Sequence, residues 1–275
     1  MSSPGRAPAP IGSAPALGSA PALGSAPAPG LVEVSRSGPV VTVRLADEGG
    51  RNAFTPDLAA RFAGALAAAV ADPGARVVVL AGLPGIFSAG GSRESLLGLP
   101  GSRETLEHDV IIRAPLRCPL PVVAAMRGHA IGGGFLLGLY ADIPVLSERS
   151  VYTANFLSYG FMPCMGATWV LPHRLGGALA AEALLGAARF RGRELRERGA
   201  AVTVVAHDAV EDTAAALATR IAAAPRRALE LAKAALVAPW RAASDQAFER
   251  EVPGHLETVQ NPMARQAVAA GYGQS

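Results

Sequence analysis

Between Pro121 and Asp142 the chain runs from an uninterrupted apolar stretch, Pro121-Val-Val-Ala-Ala-Met126, through Gly128-His-Ala-Ile-Gly-Gly-Gly134 into a second apolar stretch that ends at Ala141-Asp142. A short continuous apolar run reads as a buried strand, and Gly132, Gly133 and Gly134 then form a strand-to-helix turn. Glycine lets the backbone approach a ligand closely, and a helix N-terminus offers amides without intrahelical partners to negative charge. The pattern is that of an oxyanion hole with no acid or base beside it. Leu136, three residues after Gly133, is apolar.

A similar turn, Phe87-Ser-Ala-Gly-Gly-Ser92, follows the buried-strand run at 76–81. In an open parallel sheet ligands sit beyond the carboxyl ends of the strands, so the two turns are expected to face one site. The amides of Ala89 and Gly133 then converge on a single oxygen and stabilise an enolate or tetrahedral oxyanion. Removing one such donor typically costs on the order of 3 kcal/mol. Two tight turns packed closely on a sheet are the plainer alternative.

The flanking pattern predicts an α/β fold with a largely parallel sheet. Residues 31–35 and 40–45 read as a hairpin around Ser37-Gly38-Pro39, and Thr55-Pro56-Asp57 caps a helix that runs to residue 70. Beyond Gly176 apolar residues recur at helical spacing over 179–185, 192–198, 210–223, 226–237 and 242–258, with one short strand at 202–206. The expected organisation is a leader at 1–30, an α/β core at 31–200 and a mainly helical region at 201–275. The leader repeats Ser-Ala-Pro-Ala-Leu-Gly at 13–18 and 19–24 and has too few large apolar groups to offset the entropy of ordering.

Half of the 275 residues are apolar, enough for a substantial core. The leader lacks a secretory h-region and no run spans a membrane, so a soluble, cytoplasmic protein is expected. A net charge of +3 with dispersed basic residues and 5% aromatics argues against nucleic-acid binding. Cys118 and Cys164 read as unpaired, packed thiols; no spacing suggests a metal site, and neither glycine turn matches a dinucleotide or Walker fingerprint.

The segments Phe87-Ser-Ala-Gly-Gly, 121–134, Ala141-Asp142 and Tyr159-Gly160…Pro163…Met165-Gly166-Ala-Thr168, in this order, resemble the enoyl-CoA hydratase/isomerase (crotonase) superfamily from about Leu31 to Val237. The resemblance implies a ββα spiral with a C-terminal helical region that assists trimer packing, and a thioester enolate held by the amides at Ala89 and Gly133. Hydratases of that family use two glutamates, and the matching positions here are Leu136 and Phe156, neither of which moves a proton.

Decarboxylation can run on an oxyanion hole without that pair, because loss of CO₂ gives the enolate directly and only a later protonation is required. An apolar wall at Leu136 and Phe156 assists by leaving the reacting carboxylate poorly solvated. In detail the motifs resemble the decarboxylating hydratase-like enzymes of polyketide β-branching cassettes. That resemblance implies conversion of a 3-methylglutaconyl group on an acyl carrier protein to 3-methylcrotonyl, with no cofactor beyond the carrier's phosphopantetheine, and a homotrimer or dimer of trimers.

It also implies an active-site role for the histidine in Glu249-Arg-Glu-Val-Pro-Gly-His255. Arg93 stands as a candidate for the substrate carboxylate in the loop beginning at Ser92. Tyr152 and Asn155, flanking the substituted glutamate position, are further candidates to hydrogen-bond it, and Gly132 and Gly166 to offer helix N-termini to an anion. A hydratase or isomerase, and a non-catalytic carrier-binding member, are the rival readings.

Overall fold

The structure, a computed structural model, describes residues 30–98 and 111–271. The leader up to residue 29 and His108 lie outside the described residues.

The chain opens with the expected hairpin, β1 (Val32–Ser37) antiparallel to β2 (Val40–Leu45). After β3 (Ala53–Phe54) comes α1 (Pro56–Ala71), which starts as its sequence predicts, with Thr55 Oγ1 accepting the Leu58 amide at 3.2 Å. The strands β4 (Val77–Ala81), β5 (Ile86–Ser88) and β6 (Gly90–Gly91) follow, then the short helices α2 (Arg93–Gly98) and α3 (Ala114–Arg117). β7 (Val122–Met126), β8 (His129–Ile131) and α4 (Gly133–Leu139) make the strand-turn-helix unit. β9 (Ile143–Ser147) and β10 (Val151–Thr153) lead through a 3₁₀ turn (Asn155–Tyr159) to α5 (Ala167–Leu175) and α6 (Gly177–Leu185). The chain ends in β11 (Arg189–Arg191), α7 (Gly192–Glu197), β12 (Thr203–Val205), α8 (Val210–Ile221), α9 (Arg226–Val259) and α10 (Pro262–Gly271).

Six strands form a sheet in the order β1-β2-β4-β7-β9-β12, parallel except for the opening hairpin. Every residue of β4 and β7 is buried, as expected of strands covered on both faces. One face packs on Leu58, Phe62, Phe135, Leu136 and Leu137. The other takes Val210, Ala214 and Ala218 of α8 against Val77, Val79, Val123 and Ala125. Because β12 completes this sheet, the core continues past residue 200.

A second, four-stranded sheet runs β11-β10-β8-β5. Its strands have three residues each, too few for a periodicity to register in the sequence. It matters because β5 and β8 are parallel neighbours, Ile86 beside His129 and Ser88 beside Ala130, so both glycine turns leave the same edge.

One expected break does not occur. Instead of two helices at 226–237 and 242–258, α9 is a single helix of 34 residues that passes through Pro239 and Pro253. Proline alone would stop it locally. Contacts on both sides of Pro239 override this: Lys233 Nζ donates to the carbonyls of Pro115 (3.0 Å) and Leu120 (2.8 Å), and Arg241 Nε to that of Leu116 (3.1 Å). Lys233 also pairs with Asp142 Oδ2 at 2.8 Å in the interior, tying α9 to the end of the strand-turn-helix unit.

Candidate active site

Gly132 turns the chain out of β8 with φ 53° and ψ −121°, a conformation that a Cβ would strain, and its amide donates to Thr153 O at 2.8 Å. Its carbonyl accepts the amides of Phe135 and Leu136 at 3.1 and 3.3 Å, which starts α4 without a side-chain cap. The Gly133 and Gly134 amides therefore head the helix, where the dipole favours negative charge.

The second turn lies directly against this one. At Gly90, φ is 80°, and a Cβ there would fall on Ile131 O and within 3.1 Å of Gly133 N; one at Gly134 would lie 2.5 Å from Ser88 O. The two glycine turns thus touch, at a closeness only glycine permits.

The particular amides differ from the sequence expectation. Ala89 N–H donates to Arg51 O at 3.1 Å, so it faces the protein and is not the donor expected from the motif. Gly90 N–H donates to Ser88 Oγ at 3.1 Å, and that hydroxyl donates to Asn52 O at 2.7 Å. Asn52 is fully buried with φ 54°, and its Nδ2 donates to Leu45 O (3.1 Å) and Phe87 O (3.0 Å). Asn52 and Ser88 hold the turn in shape and were not singled out by sequence reasoning. The usable signal was an asparagine before a short strand, where a left-handed turn suits it.

Several other candidates are committed elsewhere. Ser92 Oγ accepts the Ser95 amide at 2.9 Å and donates to Ser95 Oγ at 2.7 Å, capping α2. Arg93 Nη2 donates to Ala269 O of α10 at 2.9 Å, while Arg265 Nη2 of α10 returns to Leu97 O at 3.0 Å. Two arginines thereby clamp the last helix over α2. The Tyr152 hydroxyl is buried, accepting Ser147 N–H at 2.8 Å and donating to Met126 O at 2.7 Å, and burial pushes its ionisation far up. It braces β9 against β7, so its hydroxyl is committed within the protein.

Gly166 is also corrected. Its amide, at the start of α5, donates to Glu251 Oε2 at 2.6 Å, and Glu251 Oε1 accepts Thr168 N–H at 2.8 Å and Thr168 Oγ1 at 2.6 Å. The anion at this helix N-terminus is a side chain of the protein itself. Nothing near Glu251 in sequence announces a partner 85 residues away.

Asn155 lies beside Gly132, and Phe156 and His255 are linked through Phe161. Leu136 is fully buried behind the glycine turn, and Asn155 Oδ1 lies against Gly132, 3.2 Å from where a Cβ would be. Asn155 also lines a cavity of about 290 Å³ with Ile131, Thr153, Ser158, Tyr159 and Arg189. Phe156 meets Phe161 edge to face at 6.1 Å, and Phe161 meets His255 in the same way at 5.7 Å. His255 is 5% exposed, with Nδ1 2.6 Å from Met162 O. A carbonyl only accepts, so Nδ1 carries the proton and Nε2 the lone pair. Burial lowers the imidazole's affinity for a second proton, against the smaller opposing effect of the Met162 carbonyl.

Residues 35–270 match the model of the enoyl-CoA hydratase/isomerase family. The chain belongs to the enoyl-CoA hydratase/isomerase family. Among similar proteins of this family, the bacillaene synthase decarboxylase PksI of Bacillus subtilis is 38% identical over 243 residues, 88% of this chain and 97% of that one. A solved structure from a dehydratase/decarboxylase enzyme couple involved in polyketide β-branching superposes with a TM-score of 0.85 at 38% identity, covering 88% of this chain and 99% of the other. The ECH2 decarboxylase domain of CurF from Lyngbya majuscula gives 0.79 at 33% identity, covering 87% and 98%. The crotonase fold expected from the motifs is thereby established.

Among the described residues no group of His, Cys, Asp and Glu is arranged to hold a metal ion, and no helix is long and apolar enough to cross a membrane.

Proposed function

We propose that this chain decarboxylates a 3-methylglutaconyl-type thioester carried on an acyl carrier protein, giving the 3-methylcrotonyl thioester during polyketide β-branching. One observation carries the reading. The two positions where a family hydratase places its carboxylates hold Leu136, fully buried, and Phe156, half-buried and packed on Phe161, with no proton-moving group at either. The names of the similar decarboxylases support it.

In the reaction the bond between the γ-carbon and the carboxylate breaks, CO₂ leaves, and the electron pair moves through the conjugated chain onto the thioester oxygen. The Gly133 amide meets that charge. The facing turn supplies the second donor, and since the Ala89 and Gly90 amides are occupied, it is assigned to Gly91, the next residue along. Gly91 lies one Cα spacing, about 3.8 Å, beyond the contact of Gly90 with Gly133. Such donors in a water-poor site lower the barrier more than in water because they need no reorganisation.

The dienolate then takes one proton, at the γ-carbon for the 3-methylcrotonyl product. His255 relays it: neutral at pH 7, with Nδ1–H fixed on Met162, it takes a proton from a water molecule at Nε2 once CO₂ has formed and passes it to the γ-carbon, returning to the neutral imidazole, while the hydroxide left behind is taken up by the CO₂ as bicarbonate. Leu136 and Phe156 keep other water from the carboxylate, whose desolvated ground state is poorly stabilised relative to the dispersed charge that follows. The same reading places the protein in the cytoplasm as a homotrimer or dimer of trimers, needing no cofactor beyond the carrier's phosphopantetheine.

Mass spectrometry of a carrier protein loaded with the 3-methylglutaconyl group tests the proposal. Loss of the mass of CO₂ is expected. Gain of the mass of water would make the chain a hydratase, and an unchanged carrier would make it a binding protein.

A further inference from the structure

Three polar side chains on one stripe of α9, Glu251, His255 and Thr258, all engage the segment from Met162 to Thr168, which leads from the 3₁₀ turn into the first turn of α5. Glu251 sits on the Gly166 and Thr168 amides and the Thr168 hydroxyl (2.6–2.8 Å), His255 on Met162 O at 2.6 Å, and Thr258 Oγ1 accepts Met162 N–H at 2.8 Å. Residues four and three apart share a helix face, so these are consecutive latches on one rod. Gly254, between them, lets the rod come close: a Cβ there would lie 2.5 Å from Met162 Sδ.

The latches are unequal. Those at 255 and 258 each engage one peptide group of Met162, whereas the carboxylate of Glu251, 1% exposed, accepts three hydrogen bonds at a helix N-terminus. Hydrogen bonds to a charged acceptor are about twice as strong as neutral ones, and the helix dipole adds to them. At this end of α9 the rotation and depth are therefore set chiefly at Glu251, one turn before His255.

We propose that Glu251 is the positioning residue for His255, locking α9 so that the imidazole stays on the Met162 carbonyl as the Nδ1–H tautomer with Nε2 held for proton transfer. This rests on the reading of His255 as the proton relay, but its first consequence is a property of the imidazole itself. Nε2 has no partner among the described residues, so the Met162 contact is the only hydrogen bond there that selects a tautomer. Burial and the Met162 carbonyl alone account for the perturbation of His255, with no charged side chain contributing. The groups that face Glu251 are Thr168 of α5, Tyr140 at the end of α4 and Arg113 before α3.

The test is ¹⁵N NMR of histidine-labelled full-length protein across pH, beside CO₂ release from a 3-methylglutaconyl thioester. Glu251→Gln puts an NH₂ donor where only donors point. The variant is expected to show a mixture of His255 tautomers, an imidazole pKa moved up towards the ordinary 6.5, and kcat about tenfold lower with KM within twofold. Thr168→Val removes one donor and serves if Glu251→Gln does not fold; it should move the same signals by a smaller amount. A folded Glu251→Gln variant with wild-type His255 tautomer and pKa would overturn the proposal. An altered imidazole with unaltered CO₂ release would support the positioning by Glu251 and remove His255 from the reaction.

Discussion

Ala89 N–H donates to Arg51 O at 3.1 Å, and with the Gly90 amide held by Ser88 Oγ this leaves Gly91 as the donor proposed for the first glycine turn. Gly91→Pro, which removes the amide assigned as the second oxyanion donor, should lower kcat for CO₂ release by about 10²- to 10³-fold, while Gly91→Ala, which keeps it, should retain most activity. Equal rates in the two variants would put the donor elsewhere.

Leu136→Ala should destabilise the fold by about 2–5 kcal/mol, because a fully buried leucine leaves a cavity in a packed core. Phe156 is only half-buried, and Phe156→Ala should cost less in thermal unfolding. Both should slow CO₂ release about tenfold as water reaches the carboxylate. A Phe156→Ala enzyme with unchanged turnover would remove the apolar wall from the mechanism.

His255 also predicts a pH dependence whose sign follows from burial. Its folded pKa is depressed below the usual value of about 6.5, so between the two values the unfolded chain binds a proton that the folded chain does not. This contribution to stability is present above about pH 6.5 and is lost as the pH falls towards the folded pKa. Glu251, whose carboxyl is pushed up by burial, acts in the opposite sense, so the informative quantity is wild type minus His255→Gln. That difference in Tm should shrink on acidification. Activity should fall on the same limb, since an imidazolium would pair with the substrate carboxylate and hold it in the ground state.

Arg93 donates to the backbone of α10. Arg93→Ala should therefore leave KM within about twofold, cost under about 1 kcal/mol as an exposed contact, and speed amide exchange in Pro262–Gly271. A large rise in KM with exchange unchanged would instead give Arg93 to the substrate carboxylate.

Wherever a feature is local the sequence announces it. Thr55-Pro56 starts α1, Gly132 ends β8, and the replacement of two carboxylates by Leu136 and Phe156 is visible without coordinates. What escaped depends on partners distant in the chain. Which amide of Ser88-Ala89-Gly90-Gly91 faces outward is decided by Arg51 and Asn52. The Gly166 amide meets a carboxylate from α9 and not a ligand, and that helix passes Pro239 because Lys233 and Arg241 anchor it on either side. Arg93 and Tyr152 have chemistry suited to a carboxylate, but their positions send them to other carbonyls.

Along the unbroken α9, about 44 Å at 1.5 Å per residue separates Arg226, whose guanidinium holds the carbonyls of Val70, Asp72 and Ala75, from His255. Synthesis therefore builds the molecule in a definite order. Both sheets and both glycine turns are complete by Val205, whereas His255 arrives fifty residues later on the far end of the rod. A chain ending before Glu251 would carry both glycine turns yet lack the carboxylate that holds the Gly166 and Thr168 amides, so the last stretch of α9 is what completes the segment around Met162.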